Sequence, residues 1–437
     1  MHDLSRKHVT VVGMAKSGHA AIELLLEKGA IVRAVDEKES PPVNGIPVEP
    51  QTDAAFDNAE LVVISPGVPA DLDVLNAVRS RGVPVIGDLE LSSWFLQGDN
   101  IGITGANGKT TTTALIGHIL KESGIPCQVG GNIGTPPASM IAASRPEQWN
   151  VLELSSFQLE TIQEFRAHIA VALNVTPDHL DRHHTFENYA AAKGRLFETQ
   201  CPGDFAVLNA DDPVCVAYAS RTKASPVWFS LEHPVDSGAW LENDEVRYDD
   251  RFVLSVAGIP LRGRHNVQNV MAGAIAARLA GASLEQIVGA VRSFPGVEHR
   301  LEFVRELRGV AYYNDSKATN VDATLKAIDA FPGGLWIILG GKDKDSDYTV
   351  LQQPLREKAH TALLIGAAAK KIESQLHGAV PIEHSGTLEN AVRTASQQAK
   401  PGDTVVLAPA CASFDQFENY EHRGRVFKQL VNALGEK

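Results

Sequence analysis

Along the chain, short apolar runs rich in β-branched residues alternate with stretches in which apolar side chains recur every three or four positions. The first pattern suits a strand buried on both faces and the second a helix laid over a sheet. Their alternation predicts parallel sheets joined by crossover helices, an α/β fold. A first group of strands falls at residues 8–13, 31–35, 61–65 and 85–86, with a helix to about 28. A second group opens at 100–104 and continues at 151–154, 169–174 and 205–208. Between 225 and 260 the runs shorten to VWFS, EVRY and FVLSV and read as antiparallel strands, before residues 267–279 return to helix. The third group has strands at 310–313, 335–339, 362–365 and 405–407. A chain of 437 residues exceeds the usual single domain, and these groups divide it into three domains at 1–93, 94–297 and 298–437.

Composition narrows the function. With 44% hydrophobic and 21% charged residues each domain can bury an ordinary core. A formal charge of -13 argues against a general nucleic-acid or membrane surface, so no nucleic-acid partner and no stable membrane association are expected. Anionic ligands would need local basic or backbone-amide sites. Cys127, Cys201, Cys215 and Cys411 are too few and too irregular for a disulfide framework or a zinc cluster. No signal-length apolar run precedes the first strand and no segment nears 18 consecutive apolar residues, which predicts a cytoplasmic protein.

The most specific signal is Gly105-Ala106-Asn107-Gly108-Lys109-Thr110, between the strand IGIT and a helix beginning TTTALIGHIL with Thr111. Amide groups and a helix N-terminus cradle phosphate there, the lysine neutralises charge and the threonine hydroxyl suits Mg²⁺. The loop is a shortened variant, because Ile103 stands where the common loop has its first glycine. Gly13-Met14-Ala15-Lys16-Ser17-Gly18, with Asp36 ending the next strand, resembles a dinucleotide fingerprint without its middle glycine. It reads either as a nucleotide-diphosphate site without hydride chemistry or as plain turn geometry. Ser65-Pro66-Gly67 would share that carboxyl edge. Glu153, ending a buried strand in VLELSSFQLE, needs a partner, either a Mg²⁺ beside the phosphate loop or an ion pair or helix cap made with Ser155 and Ser156.

Residues 174–184, NVTPDHLDRHH, concentrate metal-capable side chains. The absence of an H-E-x-x-H pattern and the phosphate loop upstream favour Mg²⁺ over zinc. His179 is expected on metal or substrate, and His183 and His184 in solvent. Lys193 reads by spacing as a surface lysine. Asn266 and Asn269, one helical turn apart in RHNVQN, either bind adenine or ribose or cap their helix. Glu298-His299-Arg300, the run 314–320, the run 340–344 and the run 410–417 gather polar residues in the third domain. The last three follow strands, where open α/β sheets bind ligands.

GANGKTT, LELSSFQL, TPDHLDRH, HNVQN, EHR and NDSKATN together resemble the Mur ligase family over essentially the whole chain. NDSKATN, GGKDK and ACASFDQFENYEHRG resemble its D-glutamate-adding branch, and no DNPR-type motif of the lysine- or diaminopimelate-adding relatives occurs. The resemblance implies a Rossmann-like N-terminal UDP-binding domain, a central P-loop ATPase domain with a parallel sheet plus a small antiparallel sheet, and a Rossmann-like C-terminal domain. It implies ATP-dependent ligation of D-glutamate to UDP-N-acetylmuramoyl-L-alanine through an acyl phosphate, by a monomer whose only partners are small-molecule substrates. By the same resemblance Lys16, Ser17, Asp36, Ser65, Gly67, Asn132 and His179 surround the UDP substrate. The residues 105–111 with Asn266, Asn269, Arg300 and Asp315 surround ATP. Thr110, Glu153, His179 and a carbamylated Lys193 would hold Mg²⁺ at two sites, with Lys109, His179 and Lys193 catalytic. Lys317, Thr319, Lys344, Ser413 and Tyr420 would hold D-glutamate.

Overall fold

The computed structural model describes residues 2–249 and 251–435. It contains three sheets in two compact units. Unit 1 comprises Met1–Pro260 with His265–Phe294, and unit 2 comprises Leu261–Arg264 with Pro295–Lys437.

Unit 1 holds two sheets. The first has five parallel strands, β1 (His8–Val12), β2 (Ile31–Asp36), β3 (Val48–Pro50), β4 (Leu61–Ile64) and β5 (Val85–Gly87), in the order β3-β2-β1-β4-β5. This is the doubly wound nucleotide-binding order without its sixth strand, and its direction of winding reverses between β1 and β4. The helix Lys16–Glu27 buries Ile22, Leu24 and Leu25 against it.

The second sheet has nine strands, β6 (Asp99–Thr104), β7 (Cys127–Gly131), β8 (Trp149–Glu153), β9 (Ile169–Ala172), β10 (Phe205–Asn209), β11 (Ser225–Ser230), β12 (Gly238–Glu242), β13 (Glu245–Tyr248) and β14 (Arg251–Ser255). Their order is β14-β13-β12-β11-β10-β9-β6-β8-β7, which puts β6, the strand before the phosphate loop, between β9 and β8. EVRY and FVLSV pair antiparallel as predicted. VWFS does not: β11 is parallel to both β10 and β12, because its alternation reflects an off-centre position in the sheet rather than a hairpin.

One buried carboxylate ties the two sheets' domains together. Glu90, on the helix Asp88–Ser93, accepts the backbone N–H groups of Gln163 (2.7 Å), Glu164 (2.9 Å) and Phe165 (3.1 Å) and the indole N–H of Trp94 (3.2 Å). Four donors satisfy a charge that burial would otherwise make costly.

Unit 2 is built on β15 (Glu302–Leu307), β16 (Val310–Asn314), β17 (Leu335–Gly340), β18 (Ala359–Ile365), β19 (Ile382–Gly386) and β20 (Thr404–Leu407), in the order β15-β16-β20-β17-β18-β19. Only β15 runs antiparallel, at the edge. Separate apolar clusters cover the two faces, one around Ile337, Leu339 and Leu364, the other around Ile338, Leu363 and Phe427. The edge strands β3, β7, β15 and β19 escape the periodicity reading, since half-exposed edges lack a continuous apolar run.

Candidate active site

The phosphate loop leaves β6 and turns into the helix Lys109–Glu122. Gly108 takes φ +88°, and a Cβ there would also lie 2.2 Å from Asn269 Oδ1. A side chain is thus excluded twice, by backbone conformation and by the close approach of the second sheet's long helix Arg264–Leu279. Asn269 is itself oriented, donating to Asn266 Oδ1 at 2.9 Å in the interior. The polar pair therefore packs against the loop instead of simply capping its helix. Asn174, just past β9, braces the other side. Its Oδ1 accepts from Asn107 N (2.8 Å), its Nδ2 donates to Asn107 O (3.1 Å), and its carbonyl accepts from Ala106 N (2.8 Å).

Two lysines converge on one carbonyl. Lys109 Nζ donates to Gly105 O (2.8 Å) and Ala106 O (3.0 Å), and Lys193 Nζ donates to the same Gly105 O at 2.9 Å. Lys193 is only 1% exposed and its ammonium lies 4.5 Å from the centre of the Tyr189 ring. The surface reading of Lys193 is overturned, because the inward face of the helix Phe186–Glu198 turns it toward the loop. Burial, and then the Lys109 charge, push its pKa well below the ordinary lysine value. It is therefore the amine in this region most easily held neutral.

Glu153 ends β8, next to β6, and is 2% exposed. Oε1 takes a 3.3 Å bond from Asn132 Nδ2, and the Asn132 backbone N–H donates to Glu153 O at 2.8 Å. Oε2 is buried with no hydrogen-bond donor among the described residues. An orphaned carboxylate oxygen of this kind fits a cation beside the phosphate loop, with Thr110 at the start of the helix as the nearest hydroxyl in sequence.

At the β1/β4 reversal, Asp36 does not face outward. Its Oδ2 accepts from Met14 N (2.6 Å) and its Oδ1 from Lys38 N (2.9 Å). Ser65 Oγ donates to Gly13 O at 2.7 Å. Gly18 approaches so closely that a Cβ would lie 1.9 Å from Gly13 O. These contacts fix the turn, while Lys16 and Gly67 stay exposed on its rim. Nearby Asp88 is 2% exposed, and burial raises its carboxyl to about 6 against the hydrogen-bonding pull of Ser17.

In NVTPDHLDRHH, His179 has φ +51°, is half exposed and meets the Phe157 ring edge-on at 4.9 Å. His184 is exposed as expected, but His183 is not. It is 5% exposed, stacks on Phe157, and bonds Ser156 Oγ (2.9 Å) and Glu160 Oε1 (3.1 Å). The Ser155-capped turn Ser156–Leu159 provides those partners, which spacing alone could not reveal. The side chain of Asp181 lies outside the described residues.

In unit 2 the strand-end loops are held by side chains. Asp315 is 6% exposed, and burial raises it to about 6 although the Arg300 charge opposes this. Arg423, fully buried, donates to Ser316 Oγ (3.0 Å), Ser316 O (2.9 Å), Cys411 O (3.2 Å) and Ala412 O (3.4 Å). It thereby joins the loop of Lys317 and Thr319 to the loop of Ser413. Ser316 Oγ in turn donates to Tyr420 O at 2.8 Å, and the Tyr420 ring stands edge-on to His299. Lys344 is exposed and Ser413 is 2% exposed.

Comparison with known proteins now decides the family. Family profiles match three consecutive stretches: the Mur ligase MurD-like N-terminal domain over 7–87, the Mur ligase middle domain over 103–277, and the Mur ligase glutamate ligase domain over 299–411. A protein of Solibacter usitatus named UDP-N-acetylmuramoylalanine--D-glutamate ligase is 62% identical over 98% of this chain and 98% of its own length. The chain belongs to the Mur ligase family. A Koribacter versatilis protein of the same name is 51% identical over 100% of this chain and 99% of its own. Among solved structures, the MurF ligase of Thermotoga maritima in complex with ADP shares the Mur ligase fold with a TM-score of 0.63 at 18% identity, covering 99% of each chain. The UDP-N-acetylmuramate-alanine ligase of that organism gives 0.62 at 18% identity, over 98% of this chain and 99% of its own. In this Mur ligase, Asn174 and Tyr189 support the phosphate loop and its lysines, and Arg423 supports the strand-end loops of unit 2, without having been singled out from sequence for those roles.

Proposed function

We propose that this chain joins D-glutamate to UDP-N-acetylmuramoyl-L-alanine, with ATP cleaved to ADP and phosphate, in peptidoglycan precursor synthesis. The 62% identity to a ligase of that name, over nearly the full length of both chains, carries the substrate assignment. The carboxylate of the muramoyl-alanine attacks the γ-phosphorus of ATP, the bond to ADP breaks, and an acyl phosphate forms. The D-glutamate amine then adds to that carbonyl, loses a proton and expels phosphate.

A carboxylate is a poor acyl donor, so phosphorylation supplies the leaving group. Lys109 and the amides of 105–111 stabilise charge on the transferring phosphoryl, and Asn266 and Asn269 hold the loop and the nucleoside end of ATP. Arg300 and Asp315 also bind ATP. Thr110, Glu153 and His179 would hold Mg²⁺, and Lys193 as a carbamate would hold a second ion. When bound, Mg²⁺ neutralises phosphate charge and polarises the phosphoryl oxygens. A suppressed lysine pKa supports the carbamate, since only a neutral amine adds to CO₂. Lys16, Ser17, Asp36, Ser65, Gly67 and Asn132 bind the UDP substrate together with His179. Lys317, Thr319, Lys344, Ser413 and Tyr420 bind D-glutamate.

The domain limits 1–93, 94–297 and 298–437 each enclose one sheet and are retained on that basis. Among the described residues no helix is long and apolar enough to cross a membrane. Four free thiols suit a reducing cytoplasm, and the monomer is taken as the working unit. The test is phosphate release with D-glutamate, L-alanine, L-lysine or diaminopimelate, each with its matching UDP precursor. Release should require D-glutamate and UDP-N-acetylmuramoyl-L-alanine together. Hydrolysis of ATP without either substrate, or efficient use of L-lysine, would overturn the reading.

A further inference from the structure

We infer that Tyr348 is a positioning residue of the D-glutamate site, clasping the loop of Lys344 to the loop of Ser413 and keeping Asp343 away from Lys344. The inference rests on the proposed roles of Lys344 and Ser413.

Tyr348 is fully buried, yet its hydroxyl reaches two polar partners, Asp343 Oδ1 at 2.7 Å and Cys411 Sγ at 3.0 Å. A phenol has one proton, and the carboxylate is the stronger acceptor, so the thiol is left to donate to the phenol oxygen. Cys411 suits that part because burial raises its thiol to about 11, keeping it protonated. Asp343 lies one residue before Lys344, and Cys411 lies two before Ser413. The loops also meet through paired backbone bonds, Lys342 N to Ala412 O at 2.9 Å and Ala412 N to Lys342 O at 3.1 Å. The hydroxyl therefore closes a second clasp beside the backbone one.

Asp343 sits between Lys342 and Lys344 and would be their nearest counter-ion. Instead Oδ2 takes Lys371 Nζ at 2.7 Å, and Oδ1 takes the Tyr348 hydroxyl and Ser346 N at 3.2 Å. Burial would raise its pKa, but Lys371 and Tyr348 outweigh that and hold it at about 2, so Asp343 is anionic and already paired. Lys344 is exposed and, among the described residues, forms no ion pair. A dicarboxylate substrate is what such an uncommitted ammonium accepts.

The test is steady-state kinetics of the whole enzyme carrying Tyr348→Phe, Lys344→Ala, or both. Tyr348→Phe keeps the ring in the core and removes only the hydroxyl. It should raise KM for D-glutamate roughly threefold to tenfold, as loss of one hydrogen bond implies, while kcat and KM for ATP stay within about twofold. The double variant should show a smaller rise than the two single effects multiplied, because the hydroxyl acts in large part through Lys344. An unchanged D-glutamate KM in Tyr348→Phe, beside a raised one in Lys344→Ala, overturns the clasp and leaves the proposed function standing. Parallel changes in every constant, or additive effects in the double variant, also overturn it. If Lys344→Ala itself leaves the D-glutamate KM unchanged, the assignment of that lysine falls and the clasp with it.

Discussion

Around the phosphate loop of unit 1, polar groups are set mainly by backbone. A glycine with positive φ, a helix start and a shared carbonyl at Gly105 bring Lys109 and Lys193 together. Around the strand-end loops of unit 2, buried side chains do the setting: Arg423 reaches three carbonyls and a hydroxyl, and Tyr348 a carboxylate and a thiol. The difference teaches where each site should be brittle. A backbone cradle fails outright when a charged group it positions is removed, whereas a side-chain scaffold fails by degrees, through the affinity of one ligand.

The sharpest break is Lys109→Ala, which should cost roughly 10² or more in kcat with the fold intact, since the lysine acts on charge that develops in the transition state. Near-normal turnover in the purified variant would end the phosphate-loop assignment. Lys193→Ala should lose a comparable factor, about 10², and differ in being partly restored by acetate, which can stand in for a carbamate's oxygens. Normal activity without acetate would remove Lys193 from the chemistry. Lys344→Ala, on the other side of the comparison, should spare kcat and raise KM for D-glutamate about tenfold, in line with a charge-assisted contact of roughly 1.5 to 3 kcal/mol. An equal rise for ATP would mean that unit 2 is as brittle as the loop.

The smallest effect sharpens the contrast through stability. Asp88 in unit 1 is a buried side chain whose carboxyl rises from 3.8 to about 6 on folding. The folded protein binds that proton more tightly, so the stability it contributes is complete below about pH 4 and is lost as pH rises through about 6. Asp88→Asn removes the loss and should gain on the natural protein between pH 4 and pH 7.5, by at most roughly 3 kcal/mol. Thermal unfolding at the two pH values measures this, and an identical gap at both would show that folding does not raise the Asp88 carboxyl above its unfolded value.

The same contrast explains what sequence could tell. The phosphate loop, Asp36 and Ser65 are legible because a strand, a short loop and a helix are contiguous, and their geometry follows from local residue types. Lys193 and His183 were misread because spacing reports which helical face a residue occupies, not what that face meets. VWFS misled for the related reason that alternation reports exposure, not strand direction. In unit 2 the motifs located the loops, but nothing in them announces that Arg423 or Tyr348 would bind them together, since those partners are distant in sequence and met only in the folded core.

Glu90 has a consequence for cutting the chain. Three successive N–H groups, of Gln163, Glu164 and Phe165, find their acceptor on a helix that belongs to the first sheet's domain. A fragment beginning at residue 94 would expose or strand all three, each at a cost of about 1 to 3 kcal/mol if they stayed buried, while a fragment ending at residue 93 would strip the carboxylate of all four of its donors, the Trp94 indole included. The seam that looks like a domain boundary is therefore a poor place for scissors, and a cut that spares these bonds has to keep both sheets of unit 1 together.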